Sequence, residues 1–212
     1  DVLELLKNSA GIKFDAHVAS KVKPILTNQK GSIEGQLFPA IYSFEPGTTS
    51  QGALEEMTGQ FKKSVTGELI KGFGSFTPYE VLTIASLIQI EGDESDFSKV
   101  ARVIYNRLKI GMPLQLNSTV QYALGLRGKI ALSNKSTKVD SPYNTYLHLG
   151  LPPTPICNPS LRAIKAALNP ILGNWLYFIT VKPGDTRFTN NFSEFSNWNQ
   201  IYNENLSKGL FK

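Results

Sequence analysis

Apolar and polar positions along the chain predict several amphipathic helices, and one stretch departs from the rest. Val81-Leu-Thr-Ile-Ala-Ser-Leu-Ile-Gln-Ile-Glu91 is mostly apolar and ends in a carboxylate. Ile84, Leu87, Ile88 and Glu91 fall at i, i+3, i+4, i+7 spacing, so the acid shares a helical stripe with apolar residues. Thr77-Pro78-Tyr79-Glu80 supplies an N-cap, a proline at the first helical position and an early acid. After Glu91, Asp93 or Ser95 can cap a second helix whose apolar face is Phe97, Val100, Ala101, Ile104 and Leu108, stopped by Gly111 and Pro113.

Before this pair, Val2, Leu3, Leu5 and Leu6 followed by Gly11 predict a short helix, with a second helical piece around Asp15 to Leu26. The β-branched and aromatic content of Ile33 to Phe44 predicts a strand, which Pro39 restricts to an edge or a bulge. Thr48 or Ser50 can cap a helix from about Gln51 to Val65, with Leu54, Met57, Phe61 and Val65 on one face. Gly67 to Ser75 is the candidate linker or lid. Beyond the pair, Leu114 to Asn117 reads as extended, with Gln115 and Asn117 opposite the two leucines, and Thr119 starts a short helix to about Leu124. Gly125 to Asn158 is turn-rich and long for a loop without a function. Asn158-Pro159-Ser160 opens a helix through Leu168. Trp175 to Val181, apolar on both sides, predicts a central strand, with Arg187 to Thr189 returning and a polar helix over Phe192 to Leu206.

The mixture of helical stretches and strands is read as an α+β fold, and 212 residues suffice for one large domain or a domain with an appendage. The net charge of +5 is scattered and points weakly to a polyanionic environment. Cys157 stands alone, which excludes an intrachain disulfide, and His17 and His148 are far apart, so no metal site is expected. Phosphate-loop, dinucleotide, His-Glu-x-x-His and Gly-x-Ser-x-Gly motifs are absent, and no cofactor is expected. No run reaches the roughly eighteen apolar residues of a membrane span. Asp1-Val-Leu-Glu-Leu-Leu reads as the middle of a helix, which suggests a longer chain whose preceding part carries an anchor or targeting segment. Sequons at Asn117, Asn134, Asn191 and Asn205 matter only in a eukaryotic secretory setting.

Glu91 is left as the acid of interest. Burial and the negative end of the helix dipole would both raise its pKa, as a general acid requires; alternatively it starts the turn Gly92 to Ser95 and faces water. The pattern leaves both open. Loops rich in Gln, Asn, Thr, Ser and Tyr suit neutral, hydroxyl-bearing ligands, and a sugar polymer fits them.

These residues also carry a resemblance. Ile33-Glu-Gly-x-Leu-Phe-Pro-x-x-Tyr42, Ala85-Ser-Leu-Ile-x-x-Glu91, Val100-Ala-x-Val-x-x-Asn-Arg-Leu108, Gly111-Met-x-Leu-Gln115, Thr119-Val-x-Tyr122, Ser141-Pro-Tyr-Asn-Thr-Tyr146 and Gly150-Leu-Pro-Pro-x-Pro-Ile156 together resemble the YceG-like endolytic murein transglycosylases. The resemblance implies that residues 1–46 are the C-terminal part of a small LysM-like subdomain and residues 47–212 the catalytic domain. It places the catalytic acid at Glu91. That acid would cleave the β-1,4 bond between N-acetylmuramic acid and N-acetylglucosamine without water, leaving a 1,6-anhydro end. Matched to the family motifs and placed by the loops, the expected substrate-binding residues are Gln115, Asn117, Thr119, Tyr143, Asn144, Thr145 and Tyr146. Solvent-facing or turn-holding roles are the alternatives for each. Arg107 is expected to pair with a neighbouring acid, and Arg162 and Lys165 to form a solvated helix face.

The chain departs from the family pattern at Gln89, where Glu is common, at Asn117, where Asp is common, at Thr186-Arg187, where Gly-His is common, and at Phe195, where His is common. These changes suggest a divergent member with altered substrate contacts or reduced activity. The expected partners are peptidoglycan glycan strands and peptidoglycan synthases, with no nucleic acid. The resemblance further implies single-pass attachment to the cell membrane through an anchor outside this chain, with the catalytic domain on the extracytoplasmic face. A non-catalytic peptidoglycan-binding scaffold and a muramidase-type hydrolase are the competing readings.

Overall fold

A computed structural model describes residues 2–27, 31–70, 72–126 and 135–211. The elements are α1 (Val2–Asn8), α2 (Ser50–Leu69), α3 (Pro78–Glu91), α4 (Phe97–Lys109), α5 (Asn117–Ala123), α6 (Leu161–Leu168), β1 (Tyr177–Lys182), β2 (Asp185–Thr189) and α7 (Phe192–Ser207), an α+β fold. The Asn134 sequon, residues 127–134 of the long loop and Lys71 of the Gly67–Ser75 stretch lie outside the described residues.

Helix α3 is the centre of the main core. Its Val81 through Ile88 are all buried, and the two hydroxyls among them, of Thr83 and Ser86, donate to the Tyr79 and Thr83 carbonyls of the same helix. The N-terminus is fixed by a reciprocal cap: the Thr77 hydroxyl accepts from the Glu80 amide while the Glu80 carboxylate accepts from the Thr77 amide. Phe97, Val100, Ala101 and Ile104 of α4 and Ala163, Ile164 and Ala167 of α6 pack in the same core. Gln89 sits two residues before Glu91 and faces α6, where its Oε1 accepts from the Ser160 amide at 2.9 Å. Ser160 in turn caps α6 by accepting from Ala163.

Helix α2 spans two cores. Phe61, Val65 and Leu69 belong to the main one, while Ala53 and Leu54 join Leu6, Val18, Val22, Ile33 and Leu37 in a second. Its N-cap is Thr49, whose hydroxyl accepts from the Gly52 amide, rather than Thr48 or Ser50.

Several expected elements differ. Between Asp15 and Leu26 the only helical turn is a short 3-10 piece, Val18–Ser20. The Asp15 carboxylate organises that bend by accepting from the His17 amide and pairing with Lys21. The segment from Ile33 to Phe44 forms no strand. Gly35 adopts φ +82°, and the fully buried Gln36 side chain takes the hydrogen bonds a neighbouring strand would have supplied, accepting from the Leu26 amide and donating to the Leu26 and Ser32 carbonyls. After α2 the chain does not run as a free linker. Phe73 and Phe76 pair through mutual backbone bonds and set both rings against Tyr105.

The strand over Trp175 to Val181 is half of an antiparallel pair, with Phe178 opposite Phe188 and Thr180 opposite Thr186. It is apolar on both sides because helices cover it, not because strands flank it. Phe178 and Phe188 pack against the main core, and Tyr177 stacks on Phe195 of α7 at 5.2 Å. No described helix is long and apolar enough to cross a membrane.

Candidate active site

Glu91 is the last residue of α3, and Gly92 closes the helix by donating to the Ile88 carbonyl at 3.1 Å. Its side chain turns back toward α5, where Oε1 accepts from the Ser118 amide at 3.2 Å. The residue as a whole is half-buried, and its carboxyl is largely desolvated. That desolvation raises its pKa above the ordinary carboxylate value, against the opposing pull of Ser118 and, more weakly, of Arg107. Of the two readings open in the sequence, a water-facing acid at the head of a turn does not describe this carboxyl. Two acids beyond the following Gly92 are engaged elsewhere: Glu94 pairs with Arg162 at 2.5 Å and Asp96 with Lys99 at 3.5 Å.

The segment after α4 frames Glu91. Leu114 and Leu116 are buried and Gln115 and Asn117 exposed, the expected alternation, yet Gln115 holds φ +48°, a left-handed conformation that a side-chain-bearing residue adopts at some cost. The surrounding bonds enforce it. Gln115 donates its amide to the Thr145 carbonyl at 3.1 Å, and Leu116 donates to Thr145 Oγ1 at 3.0 Å. Thr119 Oγ1 lies 2.9 Å from Thr145 Oγ1 and donates to the Leu116 carbonyl.

The expected substrate-binding residues therefore divide. Gln115, Asn117 and Tyr146 keep exposed surface around the α3 C-terminus, and the Tyr146 hydroxyl donates to Asn117 Oδ1 at 2.6 Å. Burial raises the Tyr146 pKa, and the Glu91 charge adds to that rise. Thr119, Asn144 and Thr145 are buried beneath them. Asn144 donates to the Thr137 and Val139 carbonyls and accepts from the Tyr146 amide, which fixes the loop that presents Tyr146. Tyr143 packs on Tyr122 at 4.8 Å between centroids and reaches Thr154 at 2.8 Å.

Two contributors were not anticipated. Ser118 lies between two expected residues, but its role depends on a backbone amide, for which a sequence holds no signal. Arg107 does not pair with an acid among the described residues. It is buried on the apolar face of α4, donates to the Leu176 carbonyl at 2.6 Å and the Leu114 carbonyl at 2.7 Å, and lies over the Tyr177 ring. Its i+3 spacing from Ile104 was the available clue. Cys157 is held by the Ser86 carbonyl, and burial, with a smaller contribution from Glu34, pushes its thiol up to about 12, so it is no nucleophile at neutral pH. The described residues hold no cluster of His, Cys, Asp or Glu suited to a metal. A cavity of about 340 Å³ lies along α3 toward its other end, lined by Tyr79, Glu80 and Thr83 but not by Glu91. At 1.5 Å per residue its nearest α3 position is roughly 12 Å from Glu91.

The class so defined is an α+β protein that carries a desolvated carboxyl at the end of its central helix, framed by amide and hydroxyl side chains. The chain belongs to the YceG-like family, whose sequence model matches residues 1–200. It is 38% identical over 180 residues to a protein of Bacillus subtilis (strain 168) named endolytic murein transglycosylase, covering 82% of this chain and 49% of that protein. A protein of the same name from Streptococcus pneumoniae serotype 2 (strain D39) is 40% identical over 167 residues, covering 75% of this chain and 30% of its own length. This chain thus spans about half or less of these relatives. The crystal structure of a yceG-like protein from Listeria monocytogenes superposes with a TM-score of 0.74 at 34% identity, over 82% of this chain and 57% of that one.

Proposed function

We propose that this chain is the catalytic region of a peptidoglycan lytic transglycosylase in which Glu91 acts first as general acid and then as general base. The observation that carries this reading is the desolvated Glu91 carboxyl, whose raised pKa favours a proton available for donation. Glu91 gives that proton to the glycosidic oxygen as the C1–O bond of the muramic acid residue breaks. The resulting carboxylate takes the proton of the muramic acid 6-hydroxyl, whose oxygen bonds to C1 and closes the 1,6-anhydro ring. Atoms balance without water. A hydrolase would normally place a second carboxylate across the bond, and the described groups that shift the Glu91 pKa include no second carboxyl.

Gln115, Asn117 and Tyr146 are assigned to hydroxyl and amide groups of the glycan near the scissile bond, with Tyr143 further along. Thr119, Asn144 and Thr145 act beneath them by fixing the loop. The assignment of residues 1–46 to a LysM-like subdomain, the extracytoplasmic location and the association with peptidoglycan synthases belong to the same reading and rest on the resemblance to the family.

Digestion of purified sacculi with mass spectrometry of the products tests it. The expected result is 1,6-anhydro ends, with Glu91→Gln reducing their formation by about 100-fold or more. Reducing ends would instead identify a hydrolase, no product from folded protein would identify a binding scaffold, and full activity in Glu91→Gln would remove Glu91 from the mechanism.

A further inference from the structure

A group that serves as acid and then as base needs a partner suited to both of its proton states. The Ser118 amide meets only half of that need, since an N–H can donate to either form, favouring the carboxylate, but cannot accept the proton of the acid. The Ser118 side chain is different. Its Oγ is buried beside the same carboxyl, near enough to pull the Glu91 pKa down, and forms no hydrogen bond of good geometry with any described group. A buried hydroxyl without a partner is unusual and calls for a physical reason. A hydroxyl can rotate to donate to a carboxylate or to accept from a carboxylic acid O–H.

We infer that Ser118 is a positioning residue for Glu91, its amide fixing one carboxyl oxygen and its rotatable hydroxyl following the proton through both halves of the reaction. The inference rests on the assignment of Glu91 as acid and base. Bound glycan would draw the carboxyl onto the scissile oxygen, and a hydroxyl held by no other described group can follow it there. Sequence position hides the role, because Ser118 stands between Asn117 and Thr119, whose side chains are committed to Tyr146 and Thr145. The other titratable groups facing Glu91 are Arg107 from α4 and Tyr146 from the loop over α5. Both stay in place when Ser118 is changed.

Ser118→Ala keeps the amide and removes the hydroxyl. Loss of a donor to the charged form raises the Glu91 pKa further, so the alkaline limb of the kcat/KM profile, where the acid loses its proton, moves to higher pH. The expected result on sacculi is a drop of about tenfold at the wild-type optimum and an alkaline limb shifted up by about one pH unit. Ser118→Thr, which restores a hydroxyl, should return the limb toward its original position. A carboxyl NMR titration of Glu91 reads the same shift without turnover, and Ser118→Gly serves if the alanine variant does not fold. An unmoved limb and unmoved titration would overturn the inference while leaving the role of Glu91 intact. Full activity in Glu91→Gln would instead overturn the reading beneath it.

Discussion

Glu91 is placed at a cost to stability, and the cost has a definite pH dependence. Its pKa is raised in the folded state, chiefly by desolvation, so between the unfolded value of 4.5 and the folded one the native state holds more protons than the unfolded chain. Stability therefore falls as pH rises through that window and stays lowered above it. Glu91→Gln removes the charge but keeps the shape. Thermal melts should show the variant no more stable than wild type well below pH 4.5 and more stable at neutral pH, with Tm higher by about 2–4 °C for each kcal/mol of relieved desolvation. An identical difference at both pH values would mean that the charge is not the source. The exposed Gln115 carries a second local cost in its left-handed backbone, held by Thr145. Both costs lie within one small region, the pattern in which strain and desolvation collect at binding or catalytic sites.

Arg107 shows how elements are joined around that region. One guanidinium ties the last turn of α4 to the segment that presents Gln115, through the Leu114 carbonyl, and to the start of the hairpin, through the Leu176 carbonyl. Lysine has a single nitrogen and cannot match both directions of the fork. Arg107→Lys should cost about 1–3 kcal/mol, measurable by urea denaturation, because a buried carbonyl loses its donor. No change in the midpoint would show that water replaces the guanidinium. The elements legible in the sequence are those whose signals are local. The Thr77 cap with its proline, the mostly apolar run from Val81 to Ile88 and Ser160 before α6 each specify a helix from within a few residues. What was illegible depends on partners far along the chain. Ile33 to Phe44 has strand composition but no strand to pair with, and the Gln36 side chain takes that place. The apolar β1 looked central because burial by helices α7 and α4 leaves the same pattern as burial between sheet neighbours. The candidate site divides the same way: the stripe draws attention to Glu91 without deciding which way it faces, whereas the contact of the Ser118 amide with its carboxyl depends on a backbone group that no side-chain pattern encodes.

At the scale of the molecule, the first 46 residues are coupled to the rest by more than chain continuity. Helix α2 contributes to both cores, the Leu37 amide donates to Asn158 Oδ1 at 3.1 Å, and Gly35 abuts Pro155 in the loop that follows Gly150. A Cβ on Gly35 would lie 2.6 Å from Pro155 Cβ and Cγ, and the φ of +82° is itself unfavourable for alanine. Neither a pyrrolidine ring nor the adjoining backbone can withdraw as a flexible side chain would. Gly35→Ala should therefore destabilise by about 1–3 kcal/mol, combining backbone strain with overpacking. The form of the transition carries more information than its size. Since α2 cannot leave one core without disturbing the other, calorimetry should show a single cooperative transition moved to lower temperature, with calorimetric and van't Hoff enthalpies in agreement. Two transitions, of which only the first moves, would show that the N-terminal segment melts by itself and that the shared helix does not bind the two cores into one folding unit.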